Sequence, residues 1–482
     1  MINKMNQTLE SVTIPLLQGK EFPKKTPFLR MLFFGSIIAA PYTLAGMVLS
    51  FSSIALPQMD MNMDEASWFG SLSSFGALFG SIAIGLIIDK YGRRPSFIFG
   101  IIPCIIGWIL LGISTSISVI FLGQFLAGII PGCIFVAQIY AAESIVVNHH
   151  HLRNSFSTWS TIATAVGIIL DVVLGRFLHY QTVALIAAAM ATVSLLCICI
   201  FIPESPHWLC QRGQIHRARL SEQRLSIHQP ILQGLKHNRG SVDVGLTWQS
   251  IKIGLQKLKR KDIFKPLIIL NVWFILVILS GGICINAYQV NIMSDYPLSS
   301  LALDSSLFGT RYNTLIGYNL SIISSILSLV AVILTSVLVT PMGIKRLFSF
   351  SSIGMAIGMS GLAVSLGIDA KFQALEFWRI THTISVWLII FFFCLGVATI
   401  PTSVIGEMFP HDAKGYASLP SISYCGIGGI LIKLHLYLYS QLGYWLYFMY
   451  AFFNLLGVVF VEIFVPETVG KTQEEIGDHF MK

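Results

Sequence analysis

Apolar runs of roughly 20 residues recur along this chain, each long enough to cross a ~30 Å hydrocarbon layer as a helix. No other feature restricts the fold so severely. Lipid offers no partner for a free backbone N–H or C=O, so such runs must fold as helices. The alternation that marks a membrane β-barrel is missing. The spans read at 31–56, 66–88, 95–115, 117–142, 155–178, 181–202, 264–291, 312–339, 347–368, 379–406, 416–438 and 441–465, twelve in all. Only 11% of residues are charged, against the ~25% of an average chain. The fold class is an all-α polytopic membrane protein.

Charge sets the orientation. Of 31 Lys and Arg residues, 26 fall on the side that carries both tails and the long polar segment between spans six and seven. The other side has Arg176, Arg311, Lys371 and Arg379, and Lys433 lies inside a span. The positive-inside rule then predicts cytosolic termini. The first 27 residues carry Lys4, Lys20, Lys24 and Lys25 and no apolar core, so no cleavable signal is expected. The net charge of +8 is explained by topology and some attraction to anionic lipid, with no call for a nucleic-acid partner.

The expected organisation is an N-terminal tail (1–30), a six-helix bundle (31–202), a cytosolic linker (203–263), a second six-helix bundle (264–465) and a C-terminal tail (466–482). Within the linker, 248-WQSIKIGLQKLKRK-261 has helical apolar spacing and a basic face. Three motifs recur in the same order in both halves. The stretch 85-GLIIDKYGRRP-95 is echoed by 340-TPMGIKRL-347, and Glu143 with Arg153 by 406-GEMFPHDAKG-415. Likewise 203-PESP-206 is echoed by 466-PET-468. Such repetition indicates an internal duplication, a transporter architecture.

These motifs place Asp89, Glu143, Glu204, Glu407 and Glu467 on the same side as Arg93, Arg94, Arg153 and Lys414. Carboxylates and guanidinium groups fit one another in a charge-assisted fork. Pairs across the halves would latch the cytosolic side and part when the halves rock. The plainer reading is a set of topogenic loop charges, each exposed pair contributing about 0.2–1 kcal/mol. Gly76, Gly80 and Gly85 are expected to let spans approach closely.

The motifs resemble those of sugar porters of the major facilitator superfamily, nearest the arthropod facilitated trehalose transporter-like group. The resemblance rests on 85-GLIIDKYGRRP-95, 203-PESPHWL-209, 406-GEMFP-410 and 466-PETVGKT-472, and covers nearly the whole chain. It implies the major facilitator fold and alternating access around a central sugar site. It also implies departures. The sugar-binding run of span seven becomes 277-VILSGGI-283, with Val277, Ile278 and Ile283 where hydrogen-bonding side chains are usual. Other cavity positions fall on Thr161, Ser328, Thr402 and Tyr424, with Asn286 nearby, and Tyr288 matches an outer-gate aromatic. Glu143 and Arg153 are spaced wider than the family pattern by 148-NHHHL-152, whose histidines read as loop filler.

Proton-coupled relatives carry an acid in span one, whereas 46-GMVLSFSSIAL-56 has none. This favours facilitated (uniport) transport of a sugar such as trehalose or a hexose. Asp171 in span five is an acid at membrane depth and a functional candidate by default; the alternative places it at a wetted outer mouth beside Arg176. The competing functions are a proton-coupled carrier using Asp171 and a non-transporting membrane sensor. No metal-ligand cluster, phosphate loop or catalytic triad is visible, so neither enzyme activity nor a cofactor is expected. The expected partners are a small sugar-like solute and the lipid bilayer, without an obligate protein partner, and the expected location is the plasma membrane.

Overall fold

The structure, a computed structural model, describes residues 28–133, 136, 140, 150–225, 260–294, 307–372, 376–408, 419–468 and 480. The first half runs α1 (Phe28–Ala55), a single turn at Leu56–Gln58, α2 (Met63–Tyr91), α3 (Arg93–Ile113), α4 (Ile117–Ala127), α5 (Ile129–Gly132), α6 (His150–Phe177) and α7 (Tyr180–Phe201). Two short helices follow, α8 (Pro206–Gln211) and α9 (Ile215–Leu225). The second half runs α10 (Lys261–Leu279), α11 (Gly282–Ala287), α12 (Gln289–Ser294), α13 (Leu307–Met342), α14 (Ile344–Phe372) and α15 (Glu376–Phe392). A wide π-helical turn at Phe393–Val397 leads to α16 (Thr399–Met408), α17 (Leu419–Leu442) and α18 (Trp445–Phe464).

Among the described residues, ten helices are long and apolar enough to cross a membrane, and the shorter apolar helices Ile117–Gly132 and Ile263–Leu279 complete the predicted twelve. Two details differ from the sequence reading. The seventh span is broken at Ser280–Gly281 rather than continuous. Gly281 has φ 80° and a Cβ there would meet the Tyr450 ring, so glycine is required both by conformation and by space. Gly76 and Gly80 do abut the backbones of Phe125 and Ile129, but Gly85 faces open space. Of the 203–263 segment, α8 and α9 are helical, while 248–259, most of the stretch read as a basic helix, lies outside the described residues.

Two apolar clusters form the core, one centred on each half, and the first also takes in Tyr288, Tyr318 and Ile432 of the second half. Phe51, Trp108 and Tyr140 are fully buried in the first, and Trp273, Phe348 and Tyr450 in the second. The halves meet where α6 lies along α13 and α17 along α2. The face bearing α8, α9 and the α2–α3 and α13–α14 turns is the linker face. The opposite, far face carries the C-terminal ends of α1, α6, α12 and α17.

Candidate functional site

On the linker face, α2 ends and α3 begins at Gly92, whose φ is 103°. This turn aims the first free amides of α3 at Glu204. Glu204 Oε1 accepts from the Arg93 N–H at 2.8 Å, from Arg94 N–H at 3.3 Å and from Ser205 N–H at 2.9 Å. Free amides at a helix start carry positive partial charge, so a carboxylate belongs there. Burial pushes the Glu204 carboxyl up from its ordinary value, and the three amides and the Arg93 guanidinium pull against that shift. The Arg94 side chain donates to the Cys199 carbonyl, and Tyr140 OH donates to the Pro203 carbonyl at 2.8 Å.

The second half repeats this arrangement. Gly343 has φ 78°, and Glu467 accepts from Ile344 N–H at 2.9 Å and Lys345 N–H at 3.3 Å. Lys345 Nζ donates to the Glu462 carbonyl at 2.7 Å. The echo read in the sequence is therefore an echo of geometry. Glu204 and Glu467 each bind backbone amides of their own half, and the Arg93 guanidinium also acts on Glu204. The signal was available: a Pro-Glu motif closes each half, and each half has a glycine immediately before a helix. Asp89, Arg153 and Glu407 lie in helices α2, α6 and α16, but the structure does not describe their side chains. Glu143 and Lys414 lie outside the described residues.

The candidate cavity residues scatter. Asp171 is completely buried between α6 and α1, where its Oδ2 accepts from Ser50 Oγ at 2.7 Å. Its Oδ1 has no hydrogen-bond partner among the described residues. Arg176 donates instead to Asn319 Oδ1 at 3.0 Å, so Asp171 is neither at a wetted mouth nor shown paired with Arg176. Ser328 and Thr402 donate to carbonyls of their own helices, Ser325 at 2.7 Å and Thr399 at 2.8 Å. Tyr424 packs its ring on Phe274, and Thr161 and Asn286 are half-buried on α6 and α11. Tyr288 is buried, stacks on His435 and donates to the Ile432 carbonyl at 3.2 Å. The departures in span seven are apolar in structure too: Val277 and Ile278 are buried, and Ile283 packs against both cores.

Among the described residues, the hydrogen bonds that join the halves cluster at the far face, and the sequence reading missed most of these residues. Ser52 Oγ donates to the Ala287 carbonyl at 3.1 Å, and Val290 N–H donates to Ser53 Oγ at 2.9 Å. Gln58 Nε2 donates to Tyr318 OH at 2.9 Å, and Tyr318 OH donates to the Ile54 carbonyl at 2.5 Å. Tyr437 OH donates to Asp64 Oδ1 at 2.7 Å, and the Lys433 ammonium lies 3.5 Å from the Trp68 ring centre.

Two cored bundles, duplicated turns and an interface between halves are the anatomy of a carrier. The sequence pattern of the family described as "Sugar (and other) transporter" matches residues 33–480. The chain belongs to that family. This transporter is 26% identical over 435 residues to "Sugar transporter ERD6-like 6" of Arabidopsis thaliana, covering 88% of this chain and 84% of that one. It is likewise 26% identical to "Facilitated trehalose transporter Tret1" of Drosophila grimshawi, covering 92% of this chain but 46% of that longer protein. In fold it is similar to the inward-open, partially occluded xylose transporter XylE from E. coli, with TM-score 0.67, 18% identity, and 92% and 99% of the two chains covered. The transporter therefore has the major facilitator fold, is a multi-pass membrane protein and is not an enzyme.

Proposed function

We propose that this chain carries a sugar down its gradient across the plasma membrane by alternating access, with the linker face and both termini in the cytosol. The observation that carries the reading is the pair of matched turns, Glu204 at α3 and Glu467 at α14. Each locks its own half and leaves the halves free to rock as two bodies. The relatives named for sugar and trehalose transport supply the solute class. Asp89, Arg93, Arg94, Glu143, Arg153, Glu204, Glu407, Lys414 and Glu467 are the proposed cytosolic gate set. Thr161, Asp171, Asn286, Ser328, Thr402 and Tyr424 are the proposed cavity set, and Tyr288 stands at the outer gate.

The substrate site is diverged. Val277, Ile278 and Ile283 offer no hydrogen bond, and a sugar hydroxyl left without a partner costs on the order of 1–3 kcal/mol. A solute with apolar surface on one side fits better than a fully hydrated hexose. α1 carries no acid, and Ser50 in that helix donates its hydroxyl to Asp171, so downhill movement is favoured over proton coupling.

The test is uptake in reconstituted vesicles over labelled trehalose, glucose, other hexoses and polyols. Saturable uptake of at least one sugar, unchanged by an imposed pH gradient, is the expected result. Uptake that grows with the gradient and collapses in Asp171→Asn replaces uniport with proton coupling. No uptake of any compound by folded protein replaces the carrier with a sensor.

A further inference from the structure

We infer that Gln58 and Tyr318 form the latch that closes the far face of this transporter, a pair that neither the family motifs nor the cavity positions include. The inference rests on alternating access.

Gln58 is the last residue of the turn after α1 and is held in its own half at two points. Its Oε1 accepts from the Tyr180 N–H that opens α7, at 2.8 Å, and its Nε2 donates to the Gly175 carbonyl near the end of α6, at 3.4 Å. That same Nε2 crosses to Tyr318 OH on α13, at 2.9 Å. Tyr318, itself buried, passes its own proton back to the Ile54 carbonyl at the end of α1. One continuous chain of hydrogen bonds thus joins the ends of three first-half helices to one second-half helix. The side chain of Gln58 uses both ends, so any rotation of the halves must break it at the Tyr318 hydroxyl.

Neighbouring contacts lie in the same layer. Ser52 and Ser53 bind the backbone of Ala287 and Val290, in the short helices after the break at Gly281, and Arg176 binds Asn319 beside Tyr318. Beneath this layer Ser50 and Asp171 are buried, as is Cys284 on α11, one turn before Ala287. Tyr288 differs in kind: its hydroxyl bonds to Ile432 within its own half, although Gly70 of α2 sits against that hydroxyl. The latch is made of neutral groups. Water entering from the far face can replace each bond at little net cost, which suits a closure that must open in every cycle.

Cys284 supplies a native reporter. In a variant with the other seven cysteines replaced by serine or alanine, a membrane-impermeant maleimide applied from the far face labels Cys284 slowly while the latch is shut. Gln58→Ala and Tyr318→Phe are each expected to raise the labelling rate about five-fold, the shift of a two-state equilibrium that loses one hydrogen bond. Tyr318→Phe keeps the ring and its packing, so it remains informative if Gln58→Ala does not fold. Ser114→Ala, in the α3–α4 turn on the same face, is expected to label at the parent rate. Parent-rate labelling in both latch variants overturns the proposal, and so does equal acceleration in Ser114→Ala. Flux of labelled trehalose and glucose is followed in parallel. Latch-dependent labelling in protein that moves neither sugar overturns the solute assignment and leaves the latch standing.

Discussion

The two faces of the transporter hold themselves together by different chemistry. On the linker face, Glu204 and Glu467 bind amides at the starts of α3 and α14, within one half each. On the far face, Gln58, Tyr318, Ser52 and Ser53 carry neutral hydrogen bonds from one half to the other. Charge-assisted bonds are roughly twice as strong as neutral ones. On the linker face the stronger kind thus holds each turn within its own half, whereas the far-face crossings combine a neutral chain with two charge-assisted bonds, Arg176 to Asn319 and Tyr437 to Asp64.

Removing the conformation on which a linker-face turn depends gives the largest expected effect. Gly92 combines φ 103° with ψ 178°, a region essentially confined to glycine, and a Cβ there would strike the Glu204 carboxylate. Gly92→Ala is expected to cost about 3 kcal/mol, the sum of backbone strain and a displaced cap. Thermal unfolding of purified protein in detergent reads this as a clear drop in Tm. An unchanged Tm would show that the turn is not what fixes α3.

Neutralising the caps comes next. Glu204→Gln and Glu467→Gln are each expected to cost about 1–2 kcal/mol, because an NH2 group replaces one of the two oxygens that accept from the helix-start amides. The two turns share no partner, so the double variant should show the sum of the single effects. A double variant much worse than that sum would mean that the two carboxylates cooperate across the halves, and the contrast between the faces would fail.

A pH series sharpens the comparison further, with a smaller effect. Burial raises the Glu204 carboxyl above its ordinary value. For a raised group, the stability it contributes is complete below the unfolded value and is lost as pH rises through the folded value. The parent should therefore lose stability relative to Glu204→Gln, which does not titrate, as the pH climbs from acid toward neutral. A gap that stays constant with pH would show that the amides offset the burial of Glu204 in full.

The fold was legible in the sequence because a bilayer leaves so few solutions: run length and charge asymmetry gave the spans, and repeated motifs gave the two halves. The break at Gly281 was not, because an all-apolar run with two glycines reads the same whether straight or broken, and only the Tyr450 ring decides. Of the linker-face glutamates, Glu204 and Glu467 were marked by their motifs, but the backbone amides they bind were not. Neighbouring arginines and lysines draw attention to side-chain charge, while the amides that Glu204 and Glu467 bind have no letter in a sequence. The far-face residues were invisible for a related reason. Gln58 and Tyr318 are 260 residues apart and belong to no motif, so nothing short of the assembled bundle brings them together.

The smallest expected effect concerns Lys433 and Trp68, one of the charged contacts between the halves at the far face. The ammonium lies over a ring that is 37% exposed, and a cation–π contact at an exposed site contributes about 0.5–1 kcal/mol. Lys433→Met keeps much of the aliphatic stem and removes the charge. Adjacent to it, Tyr437 still donates to Asp64, so α2 and α17 remain joined. The expected outcome is an unchanged Tm with a labelling rate at Cys284 raised about two-fold, what half a kcal/mol allows. An effect equal to that of Tyr318→Phe would mean that charge, rather than a chain of neutral bonds, shuts the far face. The division of labour between the two faces would then have to be abandoned.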